Sequence, residues 1–302
     1  MRQQEVRALA GELGYPVIVA EPAESAGHFP DGSRFRVEIP SCEGPEVMRA
    51  VVAEAASRGV RVHRVSQGSG VMMLTDVEIT EMVELGAEHD IEVCLFLGPR
   101  GAWDVGAQAK VSSGVGGAAR GNDGVAACIA EALRACGLGV RSLLVGDLGV
   151  LQLLDRLRRL GRLPPDLVLK TSVLMPLTNG PTAELYERAG ATSLNVSTDL
   201  SLAQLAEIRA AASAPIDMYV EVPDDQGGSV RFYDVPDVVR VAAPVYLKLG
   251  VRNAPNIYPS GQQHAATAEA LGRERVRRAE LVLRLLGELA PELIEPADSI
   301  GR

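Results

Sequence analysis

The stretch Leu167–Ser172, LVLKTS, is a short apolar run with a lysine near its carboxyl end, and Val245–Gly250, VYLKLG, repeats the pattern. Short, continuous apolar runs read as strands buried on both faces, the condition of a parallel sheet. A lysine inside such a run is expensive. An unpartnered buried ammonium is destabilising by several kcal/mol, so the group is either paired or put to work. Lysine is also scarce: of 30 basic residues only Lys110, Lys170 and Lys248 are lysines, and two of the three lie in these runs.

Working outward from the two runs, the same unit recurs along the chain. Strands are expected at Phe35–Ile39, Arg61–Val65, Glu92–Leu97, Ser142–Val145, Leu167–Ser172, Ser193–Val196, Asp217–Val222 and Val245–Leu249, each followed by a helical pattern. Helix signals are local and clear. Pro45 suits a first helical position and Gly59 a stop, while Thr75 with Glu78 three residues on is a capping box. Parallel strands need crossover helices, and eight uninterrupted strand–helix units favour a closed (β/α)8 TIM barrel over an open sheet. No GxGxxG follows the first strand, which argues against a dinucleotide site. The expected organisation is an N-terminal extension with a short helix over 1–34, a single α/β barrel domain over 35–290 and a tail over 291–302.

Composition narrows the partners. A net charge of −9 argues against a nucleic-acid surface or an anionic membrane. Cys42, Cys94, Cys128 and Cys136 have no CxxC spacing and read as reduced thiols. The amino terminus lacks a signal-peptide pattern and no run reaches transmembrane length, so the chain reads as soluble and cytoplasmic. A small-molecule substrate is the expected partner, with a homo-oligomer left open. Four scattered histidines without HxH or HExxH spacing point away from a metal, and no cofactor is expected. Were a hard cation held, Glu38, Asp147 and Glu221 would be its ligands.

In this barrel class the active site lies at the carboxyl ends of the strands. Those ends carry Glu38, Arg64 with Gln67, Arg100, Asp147, Lys170 with Ser172, Asn195 with Ser197, Glu221 and Lys248. Lys170, Lys248, Glu38, Asp147 and Glu221 are the candidate catalytic residues. Carboxylates flanked by lysines stay ionised and act as bases, and a desolvated lysine can attack a carbonyl. Arg64, Gln67, Arg100, Asn195, Arg252 and Asn253 are the candidate substrate-binding residues. The plain alternative is a ring of structural salt bridges closing the barrel core. His63 alternates with Arg64, and Arg64 is expected to be the one that faces inward. The backbone of SQGSG, 66–70, offers N–H groups to an anion, and Gly98–Gly124, with Trp103, has the length of a lid.

From Asp147 to Val222 the chain resembles the U32 peptidase (collagenase-like) family. The cues are GDLGVLQLL, the run KTSVLMPLTNGPTAELYERAGATSLNVS, and TDLSLAQLAEIRAA before MYVEV. The resemblance implies a barrel, and it aligns Asp199, Leu200 and Ser201 with a short acidic-Leu-Ser segment of the family. After Glu221 the chain reads VPDDQGG in place of the family's histidine-glycine segment, and the family's downstream cysteine cluster is absent from the sequence. The resemblance therefore implies the barrel more than proteolysis, and no iron–sulfur site. Three functions follow as expectations. One is a barrel enzyme using metal-independent acid–base or hydrolytic chemistry on a small polar or anionic substrate. The second is a Schiff-base lyase or aldolase using Lys170 or Lys248. The third is a small-molecule-binding protein without catalysis.

Overall fold

Parallel strands form a single sheet whose two ends nearly meet. In chain order they are β1 Phe35–Pro40, β2 Arg64–Gln67, β3 Glu92–Phe96, β4 Ser142–Val145, β5 Val168–Thr171, β6 Leu194–Asn195, β7 Ile216–Glu221 and β8 Val245–Leu249. The computed structural model describes residues 3–18, 22–98 and 116–294. The strand order is β5-β4-β3-β2-β1-β8-β7-β6. First and last strands pair in register, Phe35 with Val245 through Glu38 with Lys248, so the sheet closes on itself as a TIM barrel. The seam lies elsewhere, between β5 and β6. There Lys170 and Ser193 form a single bridge, helped by the Thr171 N–H on the Ser193 carbonyl at 3.0 Å.

The helices are α1 Gln3–Glu12, then α2 Pro45–Arg58, α3 Asp76–His89, α4 Gly121–Gly137, α5 Leu148–Arg159, α6 Gly180–Arg188, α7 Leu202–Ala211, α8 Val235–Ala242 and α9 Ala265–Leu289. Several starts have a local cause. The Thr75 hydroxyl accepts from Glu78 N–H and the Glu78 carboxylate accepts in return, the capping box read from the sequence. Ser201 and Gln204 do the same for α7. Closure of the barrel brings α9 against α2. A side chain at Gly272 would put its Cβ 3.1 Å from Val51 and 3.2 Å from Val47, so glycine is what admits the close approach.

Between the sheet and the helices lies the hydrocarbon core, including Ile39, Val65, Leu95, Leu143, Leu169, Val220 and Leu247. The segment before β1 packs against the amino ends of the strands. Phe29 meets Tyr246 edge to face at 5.1 Å, and Ser25 N–H donates to the Arg240 carbonyl at 2.7 Å. The strand furthest from expectation is β2, which begins at Arg64 and runs through Gln67, where the apolar pattern suggests Arg61–Val65. Polar Ser66 and Gln67 continue the strand because Ser66 donates to Glu38 inside the barrel and the Gln67 amide exchanges two hydrogen bonds with the Gly70 backbone.

Candidate functional site

Side chains alternate across each strand, so every second residue enters the barrel. Glu38 on β1, Arg64 on β2, Glu92 on β3, Lys170 on β5, Asp217 on β7 and Lys248 on β8 meet there, three cations with three carboxylates. Lys170 Nζ bonds the Glu38 carboxylate and lies 3.2 Å from Asp217. Arg64 Nη1 reaches Asp217 at 2.7 Å and Glu38 at 3.3 Å, while its Nε and Nη2 take both oxygens of Glu92 at 2.8 and 3.1 Å. Its guanidinium lies 3.6 Å over the Tyr246 ring. Ser66 donates to Glu38 at 2.8 Å and Ser193 to Asp217 at 2.6 Å. Lys248 stands above this layer, 3.6 Å from Glu38 and 4.1 Å over the Tyr219 ring. With the Asn195 amide oriented to suit its neighbours, its oxygen also takes Lys248 Nζ at 2.8 Å and Val173 N–H at 3.1 Å.

Desolvation opposes every charge in such a cluster, and the outcome depends on the partners. For Glu38, burial is outweighed by Lys170, Lys248 and Arg64, which hold the carboxyl well below its ordinary range. Glu92 is lowered in the same way, burial being overcome by Arg64. Asp217 goes the other way: burial, with the nearby charge of Glu38, raises it against the pull of Lys170 and Arg64. Glu38 and Asp217 share Lys170 and Arg64, and Glu38 has Lys248 in addition.

Above the network a cavity of about 530 Å³ opens at the carboxyl ends of the strands. Lys248 and Tyr219 are at its base. Ser41, Ser66, Ser172, Ser197, Thr198, Asn195 and Tyr258 supply hydroxyls and an amide, and Asp199 and Asp225 lie on its wall. Burial raises the phenols of Tyr219 and Tyr258, keeping both protonated as donors. The wall can hold a small molecule rich in hydroxyl or oxyanion groups, over a single ammonium.

The candidate residues separate into three groups. Lys248, Gln67 and Asn195 line the cavity, while Lys170, Glu38 and Arg64 form the closed layer beneath it. The others lie apart. Asp147 caps α5, accepting from Val150 N–H at 2.9 Å and from Ala119 N–H at 3.2 Å, and forms no ion pair with Lys170 or Lys248. Glu221 accepts the Arg252 N–H at 3.0 Å and lies 3.4 Å from Arg278, outside the lysine cluster. The cause is a register shift between Tyr219 and Glu221, after which Glu221 pairs with outward-facing Leu249. Arg252 and the Asn253 N–H are both engaged by Asp224. Arg100 and Trp103 lie outside the described residues. Inside SQGSG the N–H groups of Gly68 and Ser69 already donate to Glu43, at 2.8 and 3.0 Å, so the chain supplies its own anion. Cys42 is buried with its thiol pushed up by burial, unsuited to act as a nucleophile. No group of three His, Cys, Asp or Glu side chains among the described residues is placed to hold a metal.

Several site residues were not singled out in the sequence: Glu92, Ser193, Asp217, Tyr219 and Tyr258. Asp217 and Tyr219 carried a signal, being alternate polar residues within one strand run. Glu92 also opened a strand, two residues before inward-facing Cys94.

Residues 122–222 match the model of Peptidase family U32, about a third of the chain. Over this segment the chain is similar, distantly, to the U32 peptidases. Asp199, from the segment that resembled the family's acidic-Leu-Ser run, lines the cavity, while Ser201 caps α7 and Leu200 is buried. Among curated proteins no sequence matches. Solved structures with similar folds include the U32 peptidase Mk0906, at 13% identity, covering 74% of this chain and 96% of that one with a TM-score of 0.45. The putative copper homeostasis protein CutC from Streptococcus agalactiae is 14% identical, covers 70% and 98%, and has a TM-score of 0.47. Thiamine phosphate pyrophosphorylase from Pyrococcus furiosus is 12% identical, covers 81% and 96%, and has a TM-score of 0.42. Likeness at this level carries no information about what this chain binds or transforms.

Proposed function

We propose that the chain is a barrel enzyme acting on a small polar or anionic substrate by acid–base or hydrolytic chemistry at the carboxyl face of the strands. The observation that carries this reading is Lys248. It is the ammonium at the base of the cavity, surrounded by hydroxyl groups and backed by Glu38. Held there, it stabilises negative charge developing on a substrate oxygen. Glu38 lies behind it and fixes its position. A general base for a substrate hydroxyl or a water falls to a wall carboxylate, Asp199 or Asp225, since Asp147 and Glu221 are turned away.

The test is turnover of a panel of small amides, esters and lactones by the wild type and by Lys248→Met, with circular dichroism to verify folding. Activity that survives in folded Lys248→Met would sink the assignment. The Schiff-base reading is favoured at Lys248 over Lys170, because Lys170 is sealed beneath the cavity and a carbonyl carbon has no route to it. Borohydride reduction in the presence of carbonyl compounds separates the two chemistries. A stable mass increment on the Lys248 peptide would favour a lyase, and an unmodified peptide the acid–base reading.

A further inference from the structure

Arg275 lies on the buried face of α9, in line with Ala268, Gly272, Ala279 and Leu286. It is 4% exposed, and neither Nε nor Nη1 has a hydrogen-bond partner. Buried guanidinium donors are ordinarily satisfied, so two orphaned ones mark a place where something is missing. Burial pushes this arginine below its ordinary value, although Tyr258, Tyr219 and Glu43 act in the opposite sense. Glu43 gives it no hydrogen bond, being engaged by the Gly68 and Ser69 N–H groups.

Arg275 lines a small annex of about 70 Å³, together with Ser41, Tyr219, Pro223, Ile257 and Tyr258. Ser41, Tyr219 and Tyr258 also line the main cavity, so the two spaces adjoin along these hydroxyl groups. At roughly 30 Å³ per water molecule, the annex holds about two waters or one small oxyanion group. Two carboxylates lie at its exposed rim. One, Asp224, is held by Arg252 and the Asn253 N–H, and the other is Asp225. The buried end therefore presents a cation and phenols, and the solvent end presents acids.

We propose that the annex is an oxyanion subsite, in which Arg275 receives the carboxylate or phosphate of a substrate whose remaining polar part lies over Lys248. This rests on the reading of the main cavity as the substrate site, and it narrows the substrate to a molecule with an anionic end. Tyr219 spans both places: its ring lies under Lys248 and its side chain walls the annex. The buried arginine is then a binding residue, not a fold anchor.

Thermal unfolding of the full chain in sodium phosphate, sodium acetate and sodium chloride at matched ionic strength tests this. Phosphate or acetate is expected to raise Tm by several degrees beyond chloride, and Arg275→Met to lose that increment. Phosphate also strengthens burial generally, but that contribution remains in the variant and cancels in the comparison. A response to acetate identifies a carboxylate, and a response to phosphate alone a phosphate. A wild type that responds equally to all three salts would overturn the proposal, as would an increment retained in Arg275→Met. Should Arg275→Met not fold, Arg275→Lys keeps a charge and loses the planar fork. It is expected to raise the half-saturating anion concentration at least about tenfold, and no change there would also overturn the proposal. Lys248→Met is expected to keep the anion increment while losing turnover. An increment without any reaction in the wild type would remove the enzyme reading and leave the subsite in place.

Discussion

Lys170 and Lys248 occupy nearly interchangeable runs of sequence, yet they belong to different layers of the barrel. Lys170 is wholly enclosed, with the Glu38 and Asp217 carboxylates on its ammonium and the cavity above it out of reach. Lys248 shares Glu38 but takes its other contacts from a tyrosine face and an amide, and it opens onto the cavity. The difference comes from depth along the strand. Lys248, opposite Glu38 on the neighbouring strand, reaches the cavity floor, while Lys170 comes in from β5 and ends on Glu38 and Asp217 below it. Charge buried on all sides is structural, and charge with one open side is available for chemistry.

The largest expected effect breaks the lower layer. Lys170→Met strands Glu38 and Asp217 with one cation fewer, and a loss of about 3–5 kcal/mol in urea denaturation is expected. A loss under about 1 kcal/mol would show that the enclosed lysine is dispensable to the fold.

Next comes a pH effect at the amino end of the same strands. His63 is held down to about 4 by burial, then by Arg61 and Arg36, and its Nδ1 accepts from Val37 N–H at 3.2 Å. The unfolded chain binds this proton near pH 6.5, so the neutral imidazole stabilises the fold above that value. Its contribution is lost as pH falls toward 4, about 3 kcal/mol in all. Glu38, held below its ordinary range, adds its own loss only at lower pH. Denaturation midpoints of the wild type and His63→Asn across this window check the assignment, and the variant is expected to lose the slope above pH 4.5.

Lys248→Met sharpens the comparison from the other side. Turnover is expected to fall at least about a hundredfold, equivalent to roughly 2.7 kcal/mol, with less loss of stability than Lys170→Met. The two variants should therefore exchange rank between an activity assay and a denaturation curve. If they do not, the layers are not distinct.

Smallest is Asp147→Ala, which removes a helix cap and is expected to cost about 1 kcal/mol without altering turnover. A large fall in kcat would return Asp147 to the site despite its place outside the Lys170 and Lys248 cluster.

How far the chain could be read depended on whether each signal was local. Strand runs, the capping box at Thr75 and the two lysines are local, and the barrel followed from their repetition. The partners of the lysines are not local: Asp217 and Glu92 are brought in by closure of the sheet. Glu221 reads as a strand-end residue at the mouth, and a single register shift beyond Tyr219 turns it away. Asp147 ends a strand and begins a helix, and only the structure shows that the helix claims it. Arg275 was readable in principle, as an arginine spaced with Gly272, Val276 and Ala279 on the buried stripe of α9. A segment with so many arginines, RERVRR, hides it among neighbours that face solvent.

The thin seam between β5 and β6 has a consequence for how the barrel holds its shape. Elsewhere the staves are fastened by backbone hydrogen bonds, which are indifferent to acid. Here the ladder shrinks to the bridge at Lys170 and Ser193, and those same residues carry the cross-ties: Lys170 to Glu38 and Asp217, Ser193 to Asp217. At this one stave side chains share the fastening with two main-chain hydrogen bonds, Thr171 N–H to the Ser193 carbonyl and Thr192 N–H to the Leu169 carbonyl. Its tightness therefore follows the protonation of two carboxylates, and acid should loosen the barrel along this line before it reaches any other.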